Sequence, residues 1–362
     1  MNPSAPTVGQ SVWLVAEREI GSKLRSKSFL ISFGILFALA LAGVIWAGFS
    51  AQGAGTTPVA VTAESQHYLQ GVPGFEATVA TSADAARALV ASGDAEAAII
   101  ADGAPPTGFT VVFDSDPSQT LLMALSQSPA IELLDPENAT DWTGYIAAIG
   151  FGMIFLFAAQ TFGATMASSV VEEKQTRVVE LLISAVPTRA LLAGKVLGNT
   201  VLAMAQILIL AAIAVVGLTV TGQTAFLQGI GAPIAWFAVF FLFGFILLAS
   251  LYAAAAALVS RQEDIGSTTT PIMFLIMAPY FLVIFFWNNP AVLAIMSYVP
   301  FSAPVGMPTR MFLGQVDWWE PLVALAILVV TCVAAILVGA RIYENSLLRM
   351  GARVTLSEAL KG

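Results

Sequence analysis

The stretch Glu172–Leu197 reads EEKQTRVVELLISAVPTRALLAGKVL. It is a charged island between two apolar runs, each long enough to cross a bilayer. Glu173, Arg177, Glu180 and Ser184 recur at helical spacing and make a polar stripe. Val171, Val178, Leu181, Leu182 and Ala185 make the apolar stripe opposite. Glu173 precedes Arg177 by four residues, the favourable order for a helical ion pair. Pro187 ends this helix and can open the next, which carries Arg189 and Lys195. The pattern predicts an amphipathic helix at the membrane surface, a turn and re-entry into the membrane. It also fits an ordinary charged loop between two spans, because a charge run is usually a solvated face.

Outward from this island the chain is strongly apolar. Of 362 residues, 57% are hydrophobic and 10% charged, and the mean hydropathy is +0.83. A soluble domain carries about 25% charged residues, so this is a polytopic membrane protein. A net charge of −8 argues against a nucleic-acid partner. Cys332 is the only cysteine and lies in an apolar run, so no intramolecular disulfide can form. His67 is the only histidine and has no second imidazole or thiol near it, so no zinc site is expected.

Residues 1–28 are polar, with Arg18, Lys23, Arg25 and Lys27, and the first span is expected over 29–49. This run exceeds the apolar core of a signal peptide, which favours an uncleaved span. Residues 50–143 change composition sharply. Arg87 is the only basic residue between Ala51 and Asp141 among many acids, and short strand patterns alternate with helical ones, predicting a small α/β domain. Strands are expected at Val59–Val61, Ala77–Ala80, Ala97–Ala101 and Phe109–Phe113. Ser82 is expected to cap a helix running to Val90, and a further helix is expected within Pro117–Leu134. Asp114, Ser115 and Asp116 fit a polar turn better than a cation site. Residues 144–340 hold five further apolar runs: Gly144–Val171, Val196–Val220, Ala232–Val259, Pro271–Trp287 and Pro321–Ala340. Pro279 falls inside the fifth span, and Ala291–Val299 is too short to cross. Trp318 and Trp319 suit an aromatic belt. Residues 341–362 form a basic tail.

The fold class expected is therefore an α-helical polytopic membrane protein, with six spans and an α/β domain between the first and second. With the amino terminus inside, Arg18, Lys23, Arg25, Lys27, Lys174, Arg177, Arg189, Lys195, Arg261, Arg341, Arg349, Arg353 and Lys361 are cytoplasmic. Only Arg87 and Arg310 are then outside. The positive-inside rule selects this orientation, with both termini cytoplasmic and the acidic domain external.

The spans lack interior acids, bases and histidine, which argues against an ion-coupled carrier, and no pore-loop signature suggests a channel. Gln160, Thr161, Thr165, Asn199 and Gln206 could line a polar path, although interhelical hydrogen bonding is the commoner use of such residues. Glu172, Glu173 and Arg177 spell EExxxR, the first motif of the CAAX-processing intramembrane proteases. That family also needs histidines from later helices, and His67 is upstream and on the other side. No G-x-x-x-x-G-K-[ST] loop occurs, so energy from ATP would have to come through a partner.

Glu-Glu-Lys at 172–174, Arg177, Val-Glu-Leu-Leu at 179–182, Pro187 and Gly-Lys-Val-Leu at 194–197 together resemble the cytoplasmic loop of type 2 ABC exporter permeases. YVPFSAPVGMPTR at 298–310 resembles an extracytoplasmic segment of the NatB-like sodium-efflux branch. The layout of one span, an outer domain and five spans is similar as well. The resemblance implies a permease subunit without a catalytic or metal site of its own, in a bacterial cytoplasmic membrane. It implies two copies of a partner ATPase that binds ATP and magnesium, and a second permease chain, identical or similar. Membrane lipids would contact the amino-terminal helix around Glu17–Lys27. Glu172, Glu173, Arg177, Glu180, Arg189 and Lys195 would form the ATPase-coupling surface. Pro300, Phe301, Pro304, Pro308 and Arg310 would shape the outer end of the pathway, or simply stiffen an interfacial loop. The cargo implied is sodium, a lipid, a drug or a peptide. A function of another class would be a membrane-anchored receptor or envelope-assembly factor that acts through the outer domain.

Overall fold

A computed structural model describes residues 7–52, 56–69, 72, 74–102, 108–114, 117–125, 142–176, 186–222, 224–347 and 354–361. The chain divides into two compact units, one of residues 1–44 and 140–362 and the other of 45–139.

The smaller unit begins with β1 (Thr57–Thr62), β2 (Phe75–Ala80), a helix at Ala83–Ala91, β3 (Ala97–Ile100) and β4 (Thr110–Phe113). The sheet order is β2-β1-β3-β4, with β1 parallel to both neighbours and β4 antiparallel to β3. Val59, Val61, Ala97 and Ile99 face one core with Leu121, and Ala60 and Ala98 face the other with Ala86 and Val90 of the helix. This is the period-two alternation of a sheet buried on both sides. Ser82 caps the helix by accepting from the Ala85 amide, as its position suggests. A further helix covers Gln119–Leu125; Ser115 and Asp116 lie outside the described residues.

The larger unit contains α1 (Val8–Leu24), α2 (Lys27–Gln52) as far as Val44 and, numbering the two helices of the smaller unit α3 and α4, α5 (Trp142–Gln175), α6 (Thr188–Val220) and α7 (Thr224–Ala257). α8 (Ile265–Phe285), α9 (Pro290–Tyr298), α10 (Ala303–Phe312), α11 (Glu320–Leu347) and α12 (Leu356–Lys361) complete it. Six of the described helices are long and apolar enough to cross a membrane: α2, α5, α6, α7, α8 and α11.

α7 is the central helix and packs on α5, α6, α10 and α11. Phenylalanines interlock it with α5: Phe151 with Phe237 at 5.0 Å, Phe155 with Phe241 at 5.8 Å, and Phe162 with Phe245 at 5.7 Å between ring centres. Lipid tails are as apolar as these side chains, so the association rests on such shape-matched dispersion contacts rather than on expulsion of water.

Two helices outrun their apolar runs. α6 starts at Thr188, directly after Pro187, rather than at Val196. α11 continues to Leu347, so part of the expected basic tail is helix. Hydropathy marks where a helix can meet lipid, not where its backbone stops. Arg189 and Glu344 sit on these extensions and pair with each other, Nε to Oε1 at 2.7 Å. Ala291–Val299 lies within the short α9 and the turn after it. α10 follows and is buried over Ala303–Arg310.

Candidate functional site

At the described ends of the charged island, Glu173, Lys174 and Lys195 are buried. At the end of α5, three consecutive side chains take three directions. Glu172 is exposed. Glu173 is buried, with its Oε1 2.7 Å from Arg18 Nη2 and its Oε2 3.0 Å from Lys195 Nζ. The second contact is an ion pair whose angle falls short of a directed hydrogen bond. Lys174 is also buried and donates to the carbonyls of Ala257 at 2.8 Å and Ser346 at 3.0 Å. Those carbonyls belong to the last turns of α7 and α11, where a helix leaves oxygens without partners and its dipole favours a cation.

Lys195 is fully buried in α6 and donates to Glu19 Oε1 at 2.7 Å and Ser169 Oγ at 2.8 Å. Arg18, Glu19, Glu173 and Lys195 thus form a network of two acids and two bases that joins α1, α5 and α6. Pairing of this kind is what makes a buried charge tolerable. The helices approach closely because α6 lacks side chains at two positions. A Cβ on Gly194 would stand 2.5 Å from Val15 Cβ and 2.8 Å from the Val12 carbonyl oxygen. A Cβ on Gly198 would stand 3.0 Å from the Ala16 oxygen and from Glu19 Cβ. The Gly-Lys pair at 194–195 is therefore a seat for α1. Beside the network, Arg18, Ser22, Lys23, Glu172 and Thr176 line a polar pocket of about 410 Å³. Desolvation lowers the Lys23 pKa from its ordinary value; Glu19 opposes the shift and Lys195 adds to it.

Of the expected coupling surface, Glu172 and Arg189 are exposed, whereas Glu173 and Lys195 are buried against α1 and present no charge to a partner. Arg177, Glu180 and Ser184 lie outside the described residues. Held by Arg18 and Lys195, Glu173 is also poorly placed to act as a base, as the protease motif would require. His67 lies in the smaller unit, its ring tilted against that of Tyr68 with centres 3.9 Å apart.

The polar residues expected along a path differ in their surroundings. Gln160 accepts from Tyr252 Oη at 3.3 Å, and Thr165 donates to the Phe162 carbonyl. Thr161 is exposed. Asn199 donates to the Lys195 carbonyl at 2.8 Å. Asn199 Oδ1 and Gln206 Oε1 are buried with no partner among the described residues.

At the other end of the bundle, Arg310 is buried and paired with Glu320, Nη1 to Oε2 at 2.7 Å. Tyr298 donates to the same oxygen at 2.7 Å, Arg310 Nη2 donates to the Gln315 carbonyl at 2.8 Å, and the Asp317 amide donates to Glu320 Oε1 at 3.1 Å. Pro304 and Pro308 lie in buried α10, while Pro300 and Phe301 form the half-buried turn before it. Arg310 thus closes a polar knot between α9, α10 and α11.

Sequence reasoning missed Glu19, Lys174, Glu320 and Glu344. Glu320 is a lone acid before an apolar run, whereas Glu19 and Lys174 sit among other charges, so nothing local marks which charge of each group turns inward.

The sequence model described as ABC-2 family transporter protein matches residues 27–341. With six described helices long and apolar enough to cross a membrane and the small sheet, this places the chain in the ABC-2 transporter family. It is 28% identical over 222 residues to the uncharacterized protein YhaP of Bacillus subtilis, covering 58% of this chain and 53% of the relative. It is 27% identical over 217 residues to the uncharacterized protein MJ1024 of Methanocaldococcus jannaschii, covering 59% of this chain and 52% of the relative. The chain spans about half the length of the curated relatives it matches.

Proposed function

We propose that this chain is the permease subunit of an ABC exporter of a bacterial cytoplasmic membrane, driven by a separate ATPase that binds ATP and magnesium. Two ATPase copies serve a pair of permease chains, and both termini of this chain are cytoplasmic. The observation that carries the reading is the family match over residues 27–341 together with the burial of Glu173, Lys174 and Lys195 beside exposed Glu172. Glu172 stands exposed at the end of α5 while its neighbours Glu173 and Lys174 grip α1, α6, α7 and α11. A force applied at Glu172 would therefore reach four helices at once, as coupling to a soluble motor demands. Between residues 196 and 260, in α6 and α7, there is no Asp, Glu, Lys or Arg. This favours an amphiphilic cargo, such as a lipid, drug or peptide, over sodium held by carboxylates.

The test is purification of the intact chain from its native membrane, with vanadate-sensitive ATP hydrolysis measured on what copurifies. A bound ATPase that is lost with Glu172→Lys supports the reading. A chain that purifies alone, under conditions that preserve other ABC complexes, overturns it and turns attention to the α/β unit.

A further inference from the structure

A groove of about 1110 Å³ runs between α6 and α11 with α7 as its floor. Val201, Leu208, Ile246 and Leu337 are typical of its walls. The hydroxyls of Thr200 and Ser250 also line it, but both donate to carbonyls of their own helices, at Val196 and Ile246. The middle of the groove is therefore apolar. Its charged groups, Arg189, Arg341 and Glu344, gather at one end with Asn345. Arg189 spends Nε and Nη2 on Glu344. Arg341 donates only its Nε, to the Leu360 carbonyl, among the described contacts, and Asn345 donates to the Ala359 carbonyl. α12 thus braces this end, while Arg341, one of the two guanidinium groups there, has no carboxylate among the described residues.

We propose that the groove seats an anionic phospholipid of the inner leaflet, with an acyl chain along Val201 and Leu337 and its phosphate at Arg341. The inference rests on the orientation given under the proposed function, which puts Arg189 and Arg341 at headgroup depth on the cytoplasmic side. Basic pockets between membrane helices on that side suit anionic headgroups. A second copy docked here about a two-fold axis would bring its own Arg189 and Arg341 toward these, like charge against like. None of Gln160, Thr161, Thr165, Asn199 or Gln206 lines the groove, so it is separate from the polar path considered above.

The test uses the full-length chain, with any ATPase that accompanies it, in nanodiscs of equal phosphatidylglycerol and phosphatidylcholine, with retained lipid counted by native mass spectrometry after release. Preferential retention of phosphatidylglycerol is expected. Arg341→Gln should weaken that preference about fivefold, as for one basic residue at the membrane surface. Ala205→Phe, which fills the groove without touching charge, should reduce retention of both lipids. Equal retention of the two lipids by the wild type, or an unchanged preference in Arg341→Gln, overturns the proposal. So does a disulfide between copies formed by Leu337→Cys in a Cys332→Ala background. The bound ATPase is scored in the same preparation. Its presence without lipid preference sinks this inference alone, and lipid preference without ATPase sinks the exporter reading alone.

Discussion

Lys195 Nζ lies 2.7 Å from Glu19 Oε1, a bond between residues 176 positions apart. It ties the helix before the first span to the third span and is fully shielded from solvent at the lysine. Lys195→Met leaves Glu19 and Glu173 buried without their common cation. Breaking a buried pair on one side costs about 3–5 kcal/mol, so a large fall in the detergent melting temperature is expected. The combined Lys195→Met, Glu19→Gln protein should recover part of it. A double mutant no more stable than the single would show that the two residues are not coupled.

Gly198→Leu should dislodge α1 while leaving the spans inserted, because the Ala16 backbone already occupies the space a side chain needs. Even Gly194→Ala should cost about 1–3 kcal/mol, the usual penalty of overpacking. Limited proteolysis between α1 and α2 reads the outcome directly, with faster cleavage expected in both variants.

Glu172 and Lys174 are two residues apart and should fail differently. Glu172→Lys alters an exposed charge, so melting should stay within about 0.5 kcal/mol of wild type while ATPase association falls. Lys174→Met removes the cation from the carbonyls of Ala257 and Ser346 and should destabilise the fold. If both variants lose only ATPase binding, Lys174 is not the clamp described here.

Lys23 predicts a pH dependence. Its pKa lies below the ordinary value of 10.5, chiefly through desolvation. As pH rises through the folded pKa toward 10.5, the folded protein sheds this proton before the unfolded chain does. The penalty of the buried charge is thus relieved, and stability rises across that window. Lys23→Met should be at least as stable as wild type at pH 7 and should lack the rise. Melting curves from pH 7 to 10.5 would test this, and an identical rise in the mutant would count against it.

At the opposite end, Glu320→Gln should loosen the knot made with Arg310 and Tyr298, because Arg310 is left buried beside a neutral group. Faster hydrogen exchange in α9 and α10, with little change in α6, is the expected result. Uniform exchange throughout the bundle would mean that the knot does not hold these helices in place.

The six spans were legible because a run of about twenty apolar residues has few other uses. The sheet was legible at Val59–Val61 and Ala97–Ala101 because short apolar runs were bounded by turn residues. The direction of Glu173 was not. Its helical spacing predicts a place on a polar stripe whose other members lie outside the described residues, and only a helix more than 150 residues away makes the position of Glu173 an interface. Gly194 and Gly198 were visible as small residues four apart, yet nothing local says which helix uses the gap. Arg310 was singled out through the resemblance carried by residues 298–310 and proves to be half of an ion pair with Glu320, whose only sequence signal is a lone acid before an apolar run.

The family match begins at residue 27 and ends at residue 341, whereas the forces that hold the bundle together reach beyond both limits. Glu19 neutralises Lys195 from outside that range, and Ser346 receives Lys174 from outside it at the other end. A chain trimmed to the family boundaries would keep all the apolar length of its spans, yet Lys195 would lose one of its two carboxylates, keeping Glu173 and Ser169, and Lys174 would lose one of its two acceptors. Part of the buried polar pairing that ties the bundle together thus lies beyond what homology recognises, in α1 on one side and the last turns of α11 on the other.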